Sequence, residues 1–148
     1  MVSVSIDTNI LVYAADPEAG ERHHRAMGVL IGGMRANTVL TQQVLGEFYN
    51  VLNKSGLDLA NGLATAERLQ RRMRLERTVP EDLLDAFHLA QASRMQFWDA
   101  VIVTECRRAR VDILLTEDVQ DGRVYGSLRI VNPFVDDNLD QIGFLLST

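Results

Sequence analysis

The chain has 148 residues, of which 47% are hydrophobic and 24% are charged, and its formal net charge is −5. A chain of this length forms one domain with a substantial buried core. The single cysteine, Cys106, excludes an intramolecular disulfide and a zinc site built on several cysteines. We therefore expect one domain over residues 1–148, in a reducing compartment.

The pattern of charge and hydropathy predicts a cytoplasmic protein. The N-terminal segment has no basic region ahead of an apolar stretch, so it does not have the pattern of a secretory signal. No apolar run approaches the roughly 20 residues that a membrane span requires. The negative net charge, taken alone, argues against a nucleic-acid-binding protein, because phosphate contacts need lysine and arginine.

Apolar periodicity predicts strands that alternate with helices. The predicted strands cover residues 2–6, 38–41, 111–116 and 128–131. The predicted helices cover residues 10–14, 18–30, 42–54, 59–73, 81–95 and 98–108. The last residues, 136–148, carry no strong signal. This alternation predicts an α/β fold with a central, mostly parallel sheet flanked by helices.

Four acidic residues stand out by their positions in this pattern. Asp7 ends the first strand, and Asp118 follows the strand that ends at Thr116. Both are expected at the carboxyl edge of the sheet, where α/β proteins bind ligands. Glu47 interrupts the apolar face of its helix, and Asp99 lies in the first turn of another. Taken alone, Asp7 and Asp99 fit helix N-caps equally well, Asp118 fits an acidic turn, and Glu47 fits a solvent-facing position.

Carboxylates gathered at one edge repel each other unless protons or cations compensate them. Magnesium and manganese prefer oxygen ligands, and such ions can activate a water for phosphodiester cleavage. No histidine lies beside these four positions, which disfavours zinc. We expect solvated or structural roles for His23, His24 and His88.

Four segments resemble the motifs of PIN-domain nucleases, and more closely those of the VapC-type toxins of bacterial and archaeal toxin–antitoxin pairs. They are IDTNIL at residues 6–11, QVLGEFYNVL at 43–52, FWDAVIV at 97–103 and LTEDVQDG at 115–122, followed by IVNPF at 130–134. The resemblance covers nearly the whole chain. It implies a PIN-like fold and a metal-dependent endoribonuclease that hydrolyses RNA phosphodiester bonds.

The resemblance also implies which residues form the site. The acidic pocket would bind one or two Mg²⁺ or Mn²⁺ ions and position a water, and its members would be Asp7, Glu47, Asp99 and Asp118. Asn9 and Thr116 match family positions whose polar side chains support the site. The spacing of acidic residues in the last motif varies among members of the family. We take Asp118 as the ligand and Asp121 as a supporting residue.

By the same resemblance, the chain is expected to form a homodimer and to bind a small antitoxin protein, which would insert an arginine into the pocket and lay a helix in an apolar groove. The helices bearing Leu30 and Met34, or Phe48 and Leu52, are candidates for that groove, with a core role as the alternative. Two groups of arginines are candidates for phosphate contacts, with solvated helix faces as the alternative: Arg68, Arg71, Arg72, Arg74 and Arg77, and Arg107, Arg108 and Arg110.

Two other functions stay open. One is a PIN nuclease that processes RNA or DNA without an antitoxin. The other is a non-catalytic PIN-like module that binds RNA or a protein, although such a module would gain nothing from four mutually repelling carboxylates. The net charge of −5 is compatible with a nuclease, since bound metal would offset the charge of the acidic pocket.

Overall fold

A six-stranded sheet forms the centre of the computed structural model, which describes residues 1–146. Its strands are β1 (Ser3–Ile6), β2 (Asn37–Thr41), β3 (Arg74–Glu76), β4 (Ile113–Leu115), β5 (Val124–Tyr125) and β6 (Leu128–Val131). They lie in the order β3-β2-β1-β4-β6-β5, and all neighbours are parallel except β5 and β6. The prediction of an α/β fold with a mostly parallel sheet is confirmed.

Seven α-helices of the described residues flank this sheet. They are α1 (Thr8–Ala15), α2 (Glu21–Gly33), α3 (Gln42–Lys54), α4 (Leu59–Arg72), α5 (Pro80–Ser93), α6 (Phe97–Arg108) and α7 (Leu139–Leu146). Short 3₁₀ turns at Pro17–Ala19 and Asp136–Asn138 precede α2 and α7. Within residues 1–146, none of the helices has the length and apolarity needed to cross a membrane.

Side chains at the strand ends start the helices that follow. Asp7 caps α1 by accepting a hydrogen bond from the backbone nitrogen of Thr8 at 2.7 Å. Thr41, the last residue of β2, caps α3 through its hydroxyl oxygen, which accepts from the nitrogen of Val44 at 3.3 Å. Because each cap satisfies a helical N–H that has no partner within the helix, strand and helix join without a loop. These direct joins place the first turns of α1 and α3 at the carboxyl edge of the sheet.

The structure adds three short elements to the predicted ones, strands β3 and β5 and helix α7, and it shifts one helix along the chain. Helix α2, predicted over residues 18–30, spans Glu21–Gly33. Its C-terminal end packs against α7. A Cβ atom at Gly32 would lie 1.8 Å from the carbonyl oxygen of Leu145, so only glycine allows this approach. Residues 147–148 of the predicted C-terminal segment lie outside the described residues.

The main hydrophobic core lies between the sheet and the helices on both of its faces. Leu30, Phe48 and Leu52 are buried in it, and Met34 packs against it half-buried. These four side chains therefore take the core role and do not form a groove for a partner helix. A second, smaller apolar cluster joins α5 to α6 around Ala86 and Val101.

Candidate active site

The strand order reverses between β1 and β4, because the chain builds β2 and β3 on one side of β1 and later strands on the other. In α/β sheets the carboxyl edge at such a reversal is where ligands bind. Asp7 directly follows β1 and Thr116 directly follows β4. The backbone nitrogen of Asp7 donates to the carbonyl of Leu115 at 2.9 Å, and the hydroxyl of Thr116 donates to Oδ2 of Asp7 at 2.6 Å.

Three carboxylates meet at this edge. One oxygen from each of Asp7, Asp99 and Asp118 lies within 4.8 Å of the other two. We call these residues the acidic triad. Asp99 comes from the first turn of α6, and Asp118 comes from the loop after β4. Asp7 is only 3% exposed. Over residues 1–146, no lysine or arginine forms an ion pair with any of the three.

The acidic triad is an unfavourable place for negative charge. Burial raises the pKa of Asp7 to about 6, and the charges of Asp118 and Asp99 act in the same direction, against hydrogen bonds from Thr116 and Thr8. Burial also raises the pKa of Asp99 to about 6, and the charges of Asp118 and Glu47 add to this effect. A cation among these oxygens would remove both the repulsion and part of the desolvation cost.

Glu47 borders the triad without belonging to it. Its Oε2 accepts a hydrogen bond from the hydroxyl of Thr8, and its Oε1 accepts from Nε2 of Gln43, both at 2.8 Å. Gln43 lies four residues before Glu47 on the same face of α3. The carboxylate is therefore oriented from two sides. Its charge is close enough to Asp99 to raise the pKa of that residue.

Asn9 and Thr116, the two predicted supporting residues, connect Asp7 to Asp118. Nδ2 of Asn9 donates to Oδ2 of Asp118 at 3.0 Å and to the hydroxyl of Thr116 at 3.3 Å. The same hydroxyl accepts from the backbone nitrogen of Asp118 at 3.0 Å. Oδ1 of Asn9 is buried and has no hydrogen-bond partner among the described residues.

Asp121 and Glu117 lie in the same loop but bond to other partners. Oδ1 of Asp121 accepts from the backbone nitrogen of Asn132 at 2.8 Å and from Nδ2 of Asn138 at 3.0 Å. The structure thus uses Asp121 to tie the loop to the segment before α7, and does not bring it into the triad. Glu117 accepts a hydrogen bond from the hydroxyl of Tyr13.

Arg108, one of the arginines near the end of α6, bonds to groups within the protein. Its Nε donates to Oδ1 of Asp82 at 2.8 Å, and its Nη1 donates to Oε1 of Glu76 at 2.7 Å. Its Nη2 donates to Oδ2 of Asp82 at 2.9 Å and to the carbonyl of Arg77 at 2.5 Å. Arg108 is therefore not free to hold a phosphate.

Thr8, Gln43 and Tyr13 contact the acidic groups, and the sequence reasoning did not single them out. For Gln43 and Tyr13, the sequence signal that could have identified them is their spacing along a helix from a site residue. Gln43 precedes Glu47 by four residues, and Tyr13 follows Asn9 by four, so each pair shares a helix face. Thr8 gave a weaker signal, since a hydroxyl next to a capping aspartate is common in any fold.

Comparison with known proteins identifies the family of this chain. Residues 4–125 match the model of the PIN domain. A search of curated proteins finds no match. Among solved structures, the sarcin-ricin-loop-cleaving toxin VapC20 of Mycobacterium tuberculosis is 19% identical, with a TM-score of 0.57 over 75% of this chain and 86% of that chain.

Two complexes give a similar result. The DNA-bound VapBC of Salmonella typhimurium is 16% identical, with a TM-score of 0.61 over 88% of this chain and 97% of that one. VapBC2 of Rickettsia felis, bound to a DNA fragment from its promoter, is 13% identical, with a TM-score of 0.62 over 87% and 97%. At these identities the likeness is one of fold. With the family match over most of its length, the chain belongs to the PIN domain family.

Proposed function

We propose that this chain is a divalent-metal-dependent endoribonuclease that acts as the toxin of a toxin–antitoxin pair. The observation that carries the proposal is the acidic triad of Asp7, Asp99 and Asp118 at the reversal of strand order. Close carboxylates without a basic partner cost stability, so their assembly at a ligand-binding edge needs a chemical reason. A cation that takes part in phosphodiester hydrolysis provides one.

The residues present fit Mg²⁺ or Mn²⁺. Both ions prefer carboxylate oxygens and water, and the triad offers three such oxygens and no nitrogen or sulfur. Asp7, Asp99 and Asp118 would hold the ion. Once bound, the ion would stabilise the charge that develops on the phosphate and lower the pKa of a coordinated water. The unpartnered Oδ1 of Asn9 supports this assignment, because a water at the site would give it the donor that it lacks.

The chain's own residues would orient the reacting groups. Thr116 and the backbone of Thr8 hold the carboxylate of Asp7 in one position, and Asn9 holds that of Asp118. Thr8 and Gln43 hold Glu47 beside the triad. Each oxygen of Glu47 keeps a second lone pair, which can accept a hydrogen bond from the attacking water. Glu47 would thus align the water for attack on phosphorus.

RNA is the substrate that we propose, and an antitoxin is the proposed protein partner. The support is the family match together with a structural neighbour whose name describes a toxin that cleaves an RNA loop. Other neighbours are toxin–antitoxin complexes. The triad, which has no basic partner within residues 1–146, would be complementary to an arginine supplied by an antitoxin.

The proposed activity is tested by incubating the purified protein with matched RNA and DNA strands, in Mg²⁺, in Mn²⁺ and in excess chelator. We expect metal-dependent cleavage of RNA only. Asp7→Asn and Asp118→Asn should each lower the rate by about 100-fold or more, because each removes a charged ligand. Asp85→Asn, which changes an exposed carboxylate on α5, is the matched control and should leave the rate unchanged.

Other outcomes would favour the alternatives. Cleavage that persists in chelator or in Asp7→Asn would contradict the metal mechanism. Cleavage of DNA, or growth that is unaffected when the protein is induced, would favour a processing nuclease without an antitoxin. Tight RNA binding with no cleavage in any metal would favour a non-catalytic module.

A further inference from the structure

Arg22, near the start of α2, is held in place by three side chains. Its Nε donates to Oε2 of Glu117 at 3.3 Å. Its guanidinium carbon lies 5.7 Å from the ring centre of Tyr13 and 5.4 Å from that of Phe134, and the two rings meet edge to face. A guanidinium over two aromatic rings gains cation–π attraction and loses rotational freedom. The side chain is nevertheless 53% exposed.

A short series of contacts connects Arg22 to the acidic triad. Glu117, which bonds to both Arg22 and Tyr13, directly precedes Asp118 in the chain. Asn9, one helical turn before Tyr13 on α1, donates to Asp118. The face of α1 that orients Asp118 therefore also orients the Glu117–Arg22 pair. This places an oriented positive charge against Glu117, the residue next to Asp118 of the triad.

The outer edge of this guanidinium has no partner within residues 1–146. Arg22 uses only Nε, whereas Arg108 uses all three of its nitrogens on acidic and carbonyl groups. Arg25, one turn further along α2, uses both terminal nitrogens, on the carbonyl of Pro133 at 2.8 Å and on Asp136 at 3.1 Å. Nη1 and Nη2 of Arg22 remain available as a pair of parallel donors, the geometry that matches two oxygens of a phosphate.

We propose that Arg22 binds a backbone phosphate of the RNA, next to the phosphate that is cleaved. The inference rests on the proposed nuclease function and adds a substrate-binding residue to it. An RNA strand entering a chain of net charge −5 is repelled, because one divalent cation would offset only part of the charge of the triad and Glu47. The Arg22 guanidinium, already oriented by Glu117 and two rings, would offset this repulsion without a further loss of side-chain freedom.

The test measures binding of a short single-stranded RNA without turnover, so all variants carry Asp7→Asn. Fluorescence anisotropy over a range of KCl gives the dissociation constant and its salt dependence. Arg22→Gln should raise the dissociation constant by about tenfold and reduce the slope of log affinity against log salt by about 0.7, the value for one phosphate contact on a single strand. Arg35→Gln, an exposed arginine beyond the other end of α2, should change neither.

A second variant separates phosphate binding from simple compensation of Glu117. If Arg22 served only to neutralise Glu117, then Glu117→Gln would restore RNA binding in the Arg22→Gln protein. We expect no restoration, and we expect Arg22→Lys to recover only part of the affinity, because lysine keeps the charge but loses the paired donors. Unchanged thermal midpoints and unchanged Mn²⁺ affinity in otherwise unmodified Arg22→Gln protein would establish that the fold and the triad are intact.

The outcomes separate a failure of the Arg22 inference from a failure of the proposed function. If the parent protein binds RNA and Arg22→Gln binds it equally well, the inference is wrong and the proposed function stands. Restoration by Glu117→Gln would also overturn the inference, as would a loss of binding to a protein partner with RNA affinity unchanged. If the parent protein binds no RNA even at low salt, both the inference and the proposed function fail.

Discussion

Thr116 is the residue on which the arrangement of the triad depends most. Its hydroxyl donates to Asp7 and accepts from the backbone nitrogen of Asp118 and from Asn9. One buried oxygen thereby fixes the distance between two acidic groups that repel each other. The arrangement persists because hydrogen bonds to the charged form of a carboxylate offset part of its desolvation cost.

The raised pKa of Asp99 predicts how stability depends on pH in the metal-free protein. The pKa is about 6 in the folded chain against an ordinary value of 3.8, so the unfolded chain releases this proton first as the pH rises. The contribution of Asp99 to stability is therefore fully present below about pH 4, falls between pH 4 and 6, and stays low above. Asp99 accepts no hydrogen bond that Asn would break among the described residues.

We expect metal-free Asp99→Asn to match the wild type near pH 4 and to exceed it by about 2 kcal/mol at pH 7.5 in free energy of unfolding. Urea denaturation at the two pH values measures this difference. Asp85→Asn is the control and should follow the wild type at both. A variant that is less stable than the wild type at pH 7.5 would contradict the inference that the charged form of Asp99 is unfavourable in the triad.

Among the helices and strands, the end of α6 is linked to three other segments by the side chain of Arg108. It connects α6 to β3 through Glu76, to the following loop through the carbonyl of Arg77, and to α5 through Asp82. Burial opposes the ionisation of Asp82, but hydrogen bonds from Arg108 and the nitrogen of Val79 outweigh it and lower the pKa of that carboxyl. Asp82 is 1% exposed, so it depends on this cation.

Arg108→Ala should therefore destabilise the protein by about 3 kcal/mol, since it leaves a buried carboxylate without its partner. Arg107→Ala, at the preceding and exposed position, should change stability by less than about 0.5 kcal/mol. Chemical denaturation at pH 7 measures both. Equal effects of the two substitutions would refute the internal role of Arg108.

Elements that carry several buried apolar residues are recognisable in the sequence. Strand β1 is a short β-branched run that is buried throughout, and in helix α3 Val44, Phe48 and Leu52 recur at helical spacing on the buried face. Strand β3 could not be recognised, because it has three residues and its Leu75 is 45% exposed. Its strand character comes from pairing with β2, a contact between segments far apart in sequence.

The same limit applies to the site. The motifs pointed to four acidic residues, but not to the separation of Glu47 from the other three. That separation follows from hydrogen bonds with Thr8 and Gln43. The last motif also suggested Asp121 as a supporting residue. In the structure Asp121 bonds to Asn132 and Asn138, and these contacts come from tertiary packing that no local sequence pattern reveals. The catalytic roles, and the extent of a single domain over residues 1–148, stay predictions.

On the surface of the molecule as a whole, α5 and the start of α6 carry exposed apolar side chains. Helix α5 packs against α6, and Leu84 and Phe87 are 62% and 50% exposed. Trp98, at the start of α6, is 49% exposed. Contiguous exposed apolar patches often mark interaction surfaces. We propose this face for the expected homodimer.

Leu84→Glu should convert a dimer into a monomer, because dimerisation would bury a charge without a partner. Size-exclusion chromatography with light scattering measures the mass directly. Leu59→Glu, at a comparably exposed leucine on α4, is the matched control and should stay dimeric. A wild type that is monomeric at micromolar concentration, or a dimer that persists in Leu84→Glu, would refute this assignment.

Binding of a divalent cation by Asp7, Asp99 and Asp118 together can be measured directly by calorimetric titration with Mn²⁺. We predict saturable binding at pH 7.5 that weakens below pH 6, where protons compete for Asp7 and Asp99. Asp99→Asn should lower the affinity by at least about tenfold, while Asp85→Asn should leave it unchanged. Absence of binding, or equal affinity in Asp99→Asn and the wild type, would contradict cation binding by the triad.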